Sequence, residues 1–343
     1  MSVLTVAASA TVGSLSYASN ISSVRVDLAL APGVASALLV LPRDLRVEAE
    51  PGEDVEIALR GEGEDEVRVF TGTVQAVRRS LGEVTVICGD AAAALAGIRT
   101  GATFEQQSAG AIVRALIREA GARAGTVDLD LDLVTYVAHQ GRTALEHVAT
   151  LAGWAGAIAS SNPDGGLDVL RFPSPPADVA LRYGREIAEL TLTAGQRSAD
   201  VALAGSGPAG STSAPGARRQ STGVVPSDAA GPDATTVREA APALRTPTAV
   251  SGATRARNAR NGAPRLTGGC WLVPGLRAGT TVEIADAPRP GAAGPWLLTR
   301  VQHRVGPGAR GLTRFEGIGL AATGGGALGA LLGAAGDAFG GLP

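Results

Sequence analysis

Lysine is absent from the 343-residue chain, so all 30 basic residues are arginine. Together with 47 glycines, that bias reads as the mark of a GC-rich genome rather than a physical adaptation. The 32 acidic residues leave a formal net charge of −2, which provides no general attraction to nucleic acid or to an anionic membrane. Aromatic residues make up only 3% of the chain, against 45% hydrophobic residues overall. The core must therefore be built from Val, Leu, Ile and Ala. Cysteine is nearly missing too. Cys88 and Cys270 are too few and too far apart for a disulfide framework or a zinc site, and they read as buried, small apolar residues. No apolar run reaches membrane-spanning length without Gly, Pro or a charge. Residues Met1–Tyr17 carry no basic segment ahead of their apolar residues, so no secretory signal is expected. The expectation is a protein made and folded in the cytoplasm that leaves the cell, if at all, inside an assembly.

Catalytic signatures are equally scarce. There is no Gly-x-Ser-x-Gly elbow, and the VTVICGDAAAALAG stretch lacks the glycine spacing of a dinucleotide fold. Asp128, Asp130 and Asp132 alternate with leucines, but a calcium loop needs Gly at its sixth position and Glu at its twelfth. Those positions hold Leu133 and His139, so the stretch reads as a strand with an acidic solvent face. His139, His147 and His303 are the only general-base candidates near neutral pH. The first two are eight residues apart, with no cysteine nearby, which favours surface or structural roles. No catalytic, cofactor-binding or metal residue is nominated, no cofactor is expected, and the chain reads as a non-enzyme. The competing reading is a cell-wall hydrolase with its site in an α/β segment at 97–175.

What is present is period-two alternation. Val67 and Val69, then Val74 and Ala76, alternate with polar positions; Ser80-Leu81-Gly82 turns; and Val84, Val86 and Cys88 resume the pattern. That is a hairpin, with Gly72 expected to break or bend its first strand. Val24 to Leu30 and Leu38 to Leu41 give further strands, and Leu45 to Leu59 reads as two strand pieces around Glu50-Pro51-Gly52. Six short strands are enough to close a small barrel over residues 1–96.

The pattern changes over 97–175. Ser108 caps a helix running to Ala120 with Gly121 beyond it, and Thr143 with Glu146 makes a capping box. Two strands, Ala157 to Ser160 and Leu167 to Phe172, follow, which gives a small α/β unit. Residues 176–320 return to strands. They are interrupted by a Gly/Ser/Pro-rich linker at 205–236 and a short helical segment within 237–262, expected to begin near Val237. Residues 321–343 form a Gly/Ala/Leu-rich tail, read either as a low-complexity end or as a segment packing on a partner.

The order of these parts resembles the phage late control D family, the tail-hub proteins of contractile tails, which are similar to the hub part of the valine-glycine repeat spike protein. The residues that carry the resemblance are Gln140, Val148, Leu151, Ala152, Gly156 and Leu167 to Phe172, and later Pro274, Gly275, Gly279, Thr299, Val301 and His303. It covers roughly residues 1–320, and neither the 205–236 linker nor the tail belongs to the common pattern. The resemblance implies a mainly β (α+β) fold, with two tail-hub β-barrels and a small α/β insertion domain between them. It also implies a homotrimer with pseudo-sixfold symmetry, joining a sixfold tail tube to a threefold spike on a separate chain. The partners it implies are the chain itself, the tail tube protein, the spike protein, baseplate wedge components and a tape-measure protein or cargo in the lumen, with no membrane and no specific nucleic acid. The particle would be a phage tail or an extracellular contractile injection system.

Overall fold

The computed structural model describes residues 6–18, 20–45, 47–61, 63, 65–173, 177–193, 200–207, 223–225, 237–261, 263–289, 291–307 and 310–320. The fold is mainly β, with four helices among the described residues. The first seven strands are β1 (Ala7–Val12), β2 (Leu15–Tyr17), β3 (Ser23–Ala29), β4 (Ser36–Pro42), β5 (Asp54–Arg60), β6 (Val67–Arg79) and β7 (Glu83–Gly89). Alternation explains them: Ala37, Leu39 and Leu41 of β4 and Val55, Ile57 and Leu59 of β5 all point inward and are buried, and the residues between them are less so.

The β6–β7 hairpin forms as expected, but Gly72 does not break β6. The strand is continuous, and its register shifts fall to either side of Gly72, between Arg68 and Phe70 against β5 and between Val74 and Ala76 against β7. Gly72 is needed for a different reason: a Cβ there would lie 2.2 Å from the Gly89 carbonyl oxygen. The expected strand ahead of Pro51 is also missing. The Leu45 N–H goes to the Pro42 carbonyl, and the Glu50 N–H goes to the Glu53 carboxylate, so turns take the groups a ladder would use.

A separate α/β module follows. It contains α1 (Ala91–Gly97), β8 (Ala102–Ser108), α2 (Ala109–Glu119), β9 (Arg123–Val127), β10 (Asp132–Ala138), α3 (Ala144–Trp154), β11 (Ala157–Ser161) and β12 (Gly166–Arg171). Ser108 caps α2, and Thr143 and Glu146 form the expected capping box on α3. β8 pairs with β10, and β12 lies between β11 and β9. The acidic stretch is a connector rather than a strand: the chain leaves β9 at Val127 to reach the other sheet, and Arg171 meets Asp128 at 3.2 Å and Asp130 at 3.8 Å.

After β13 (Val179–Arg182) and β14 (Ile187–Thr193) the chain makes an excursion: β15 (Val201–Gly207), β16 (Gly223–Val225), β17 (Val237–Ala240) and α4 (Pro247–Arg260). Val201, Leu203, Leu244, Val250 and Ala253 share a buried cluster with α2 and α3, so the excursion packs on the α/β module. Residues 237–240 are a strand parallel to β15 instead of the start of a helix. The helix waits for Thr246, which accepts from the Ala249 N–H, and for Pro247, which suits a first helical turn. Of the linker read at 205–236, residues 208–222 and 226–236 lie outside the described residues, as does the 321–343 tail.

Four further strands follow among the described residues: β18 (Arg265–Trp271), β19 (Thr281–Ala285), β20 (Gly294–Gly306) and β21 (Arg310–Gly319). The pairing order in the first half is β3-β4-β7-β6-β5-β1, and in the second it is β14-β18-β21-β20-β19-β13. The two orders match strand for strand along the chain. Finer details repeat as well. The Gly52 N–H bonds the Val74 carbonyl and the Val74 N–H bonds that of Glu53, both at 2.8 Å. Gly279, Leu298 and Thr280 make the same pair of bonds at 2.8 and 2.9 Å. Gly52 and Gly279 have φ of 96° and 95°, a conformation that favours glycine. The register shift after Val74 has its counterpart after Leu298. One pairing differs: β1 runs antiparallel to β5, whereas β13 runs parallel to β19.

The two six-strand units share a seam. β3 pairs antiparallel with the second part of β20, from Ala29 opposite Arg300 to Val24 opposite Val305. This gives one sheet of thirteen strands with β14 and β2 at the ends of its main path. One buried apolar cluster runs through both units, including Val26, Leu39, Ile57 and Val86 from the first and Leu266, Val282, Val301 and Phe315 from the second.

Candidate functional site

Three features concentrate buried polar chemistry. The first lies where the two β units meet the α/β module. Arg277, in the loop before β19, donates to the Val69 carbonyl of β6 at 3.1 Å and to the Ser161 carbonyl of β11 at 3.2 Å. One guanidinium thus ties all three parts together. Burial pulls its pKa from 12.5 to about 10, while Asp168, Asp90 and Asp164 favour the charged form. The Asp90 carboxylate caps α1 through the Ala93 N–H and also accepts from the Ser161 hydroxyl. Burial raises its pKa, and these hydrogen bonds oppose the rise.

The second feature is the seam itself. Asp27 of β3 accepts from Arg25 Nε at 2.7 Å and from Gln302 Nε2 of β20 at 2.6 Å, with Arg300 Nη2 at 3.6 Å. Its side chain is only 12% exposed, so the seam is fastened on its outer face by a nearly dry carboxylate and on its inner face by Val24, Val26 and Val301.

The third feature is the buried histidines. His303 is fully buried. The Val273 N–H donates to Thr313 Oγ1 at 3.0 Å, the Thr313 hydroxyl donates to His303 Nδ1 at 2.9 Å, and His303 Nε2–H donates to the Leu276 carbonyl at 3.0 Å. A neutral ring protonated on Nε2 satisfies that chain, and burial lowers its pKa to about 4. His147 is built the same way: Nδ1 accepts from the Tyr136 hydroxyl at 2.7 Å and Nε2–H donates to the His139 carbonyl at 3.1 Å, with its pKa lowered mainly by burial. The His139 and His147 rings stand edge to face, their centroids 5.3 Å apart.

All three histidines therefore have structural partners: His139 Nδ1 accepts from the Gly141 N–H. Cys88 and Cys270 are buried and free, and burial pushes each thiol up to about 12. Among the described residues no three His, Cys, Asp or Glu side chains gather as a metal site, and no helix is long and apolar enough to cross a membrane. Sequence reasoning missed Asp27 and Arg277. Asp27 left a faint trace, as an acid flanked by inward-pointing Val26 and Leu28. Arg277 sits in a Pro-Gly loop with no periodic signal.

No family model matches the chain, and no curated protein matches it. Solved structures do. The 43 kDa tail protein of prophage MuSo2 from Shewanella oneidensis is similar over 91% of this chain and 98% of its own, with a TM-score of 0.64 and 16% identity. A tail protein from Neisseria meningitidis MC58 is similar over 92% and 97%, with a TM-score of 0.67 and 16% identity. The chain has the fold of phage tail proteins. That fold extends to an E. coli component of the type VI secretion system described as structurally similar to the T4 bacteriophage tail proteins gp27 and gp5. It matches 90% of this chain and 74% of its own, at a TM-score of 0.56 and 12% identity. Among the described residues these buried polar groups hold the parts of the chain together.

Proposed function

We propose that the chain is a structural baseplate hub of a contractile tail-like particle, without enzymatic activity of its own. The observation that carries this reading is the strand-for-strand repeat of two six-strand units in one polypeptide that has a tail-protein fold. In this reading each unit acts as a tail-hub barrel, with residues 97–175 inserted between the two. Three copies then present six near-equivalent units to a sixfold tail tube and threefold symmetry to a spike on a separate chain. Two like units on one polypeptide solve that symmetry mismatch, because the tube meets six similar surfaces and the spike meets three. Such an interface is obligate and large, and pairing of sheet edges between copies would protect strands that are open in one copy. The partners are the chain itself, the tube, the spike, baseplate wedge components and a tape-measure protein or cargo in the lumen. The chain is made in the bacterial cytoplasm and built into the particle.

Electron-microscopic class averages of the purified full chain test the reading. A ring of six similar lobes seen down its axis is the expected result. Compact particles of single-chain size at micromolar concentration would refute it.

A further inference from the structure

The internal seam joins one edge from each unit: β3, and the part of β20 beyond its register shift. By the repeat, β14 is the counterpart of β3, and Ala76–Arg79 of β6 is the counterpart of Arg300–His303. Neither of these edges has a ladder partner on its outer side among the described residues. Apart from a single bridge of Ile187 to Tyr183 at the turn before it, β14 pairs only with β18, and Ala76–Arg79 pairs only with β7. One molecule therefore holds a joined pair of edges in its middle and an unjoined copy of each edge elsewhere.

Burial points the same way. At the internal seam the inward residues Val24, Val26 and Val301 are 1%, 0% and 0% exposed. Their counterparts Leu190, Leu192 and Val77 pack on the same core but stay only partly buried. Both open edges leave core-facing apolar side chains half covered, which an added strand would bury. The outer faces are complementary in charge, with Arg78 exposed on one edge and Glu189 exposed on the other.

We propose that β14 of one copy adds antiparallel to the end of β6 in a second copy, repeating between molecules the seam that β3 and β20 make within one. The repeat fixes the register. Asp27 lies opposite Gln302, Val26 opposite His303 and Arg25 opposite Arg304. Carried across, Thr193 lies opposite Arg78, Leu192 opposite Arg79 and Thr191 opposite Ser80 of the second copy. The two edges differ, so the contact is head-to-tail. It closes into a ring when the rotation per copy divides the circle. This deepens the hub reading by naming the edges that join, and it rests on that reading only for the number of copies.

The test is disulfide trapping in the full chain. Directly opposed residues of an antiparallel pair have Cα atoms about 4.5–5.5 Å apart, within disulfide reach. Thr193→Cys combined with Arg78→Cys should give cross-linked multimers on a non-reducing gel after mild oxidation. The mis-registered pair Thr191→Cys with Ala76→Cys, four residues or about 13 Å out of register, should not. All four positions are exposed, so the variants should keep the wild-type melting temperature, which is checked first. Assembly into several copies without the Thr193–Arg78 link, or equal linking by both pairs, overturns the edge assignment and leaves the hub reading standing. An unlinked single chain overturns both.

Discussion

His303 gives the sharpest quantitative prediction. Its ring is fully buried between Thr313 and the Leu276 carbonyl, and burial lowers its pKa from 6.5 to about 4, so the folded protein holds it neutral. A shift of that size corresponds to about 3 kcal/mol between the two protonation states. The folded pKa lies below the unfolded one, so the unfolded chain takes up the proton first as pH falls. The full contribution is present above pH 6.5 and is lost between there and about pH 4. By pH 5 about 2 kcal/mol should be gone relative to pH 7. The assay is urea unfolding of wild type and His303→Gln at pH 7, 6 and 5. The variant is expected to be less stable at pH 7, since Gln cannot rebuild both bonds, and to have a flatter pH profile. His147, whose pKa is lowered as well, titrates in both proteins and cancels in the comparison. Parallel profiles would show that His303 is not buried as a neutral ring and would refute the reasoning.

Three other outcomes follow from the packing. Gly72→Ala drives a Cβ to 2.2 Å from the Gly89 carbonyl and should cost about 1–3 kcal/mol, whereas Gly97→Ala, at the open end of α1, should be neutral or stabilising by up to about 1 kcal/mol; urea midpoints of the two read this directly. Arg277→Met strands the Val69 and Ser161 carbonyls and should lose about 2 kcal/mol, with faster proteolysis between the modules. A loss under about 0.5 kcal/mol would remove Arg277 as their tie. Cys88 and Cys270 should both resist a thiol reagent at pH 8 until denaturant is added, so labelling of either in the native chain contradicts their raised pKa values.

Local features were legible because local physics sets them. Alternation in Val67–Cys88 gave the hairpin, and Ser108 and Thr143 announced their helices through oxygens that cap nearby N–H groups. Where competition was non-local, the reading failed. Leu45–Glu50 alternates enough to pass for a strand, but the Leu45 and Glu50 N–H groups are taken by turn partners. Arg238, Glu239 and Ala240 are good helix formers, and the strand won because β15 was available beside it. The β3–β20 seam pairs residues some 275 positions apart, as Asp27 with Gln302, and nothing in either strand's own sequence names its partner. For the same reason Arg277, which acts through partners over 100 positions away, left no motif. The repeat of the two units was invisible as sequence similarity, and it surfaced only in pairing order, paired glycines and matching register shifts.

Native mass spectrometry of the purified full-length chain at micromolar concentration tests the central claim most directly. A dominant species of three 34.2 kDa chains is the predicted result. A dominant single chain, unchanged on concentration, would contradict it.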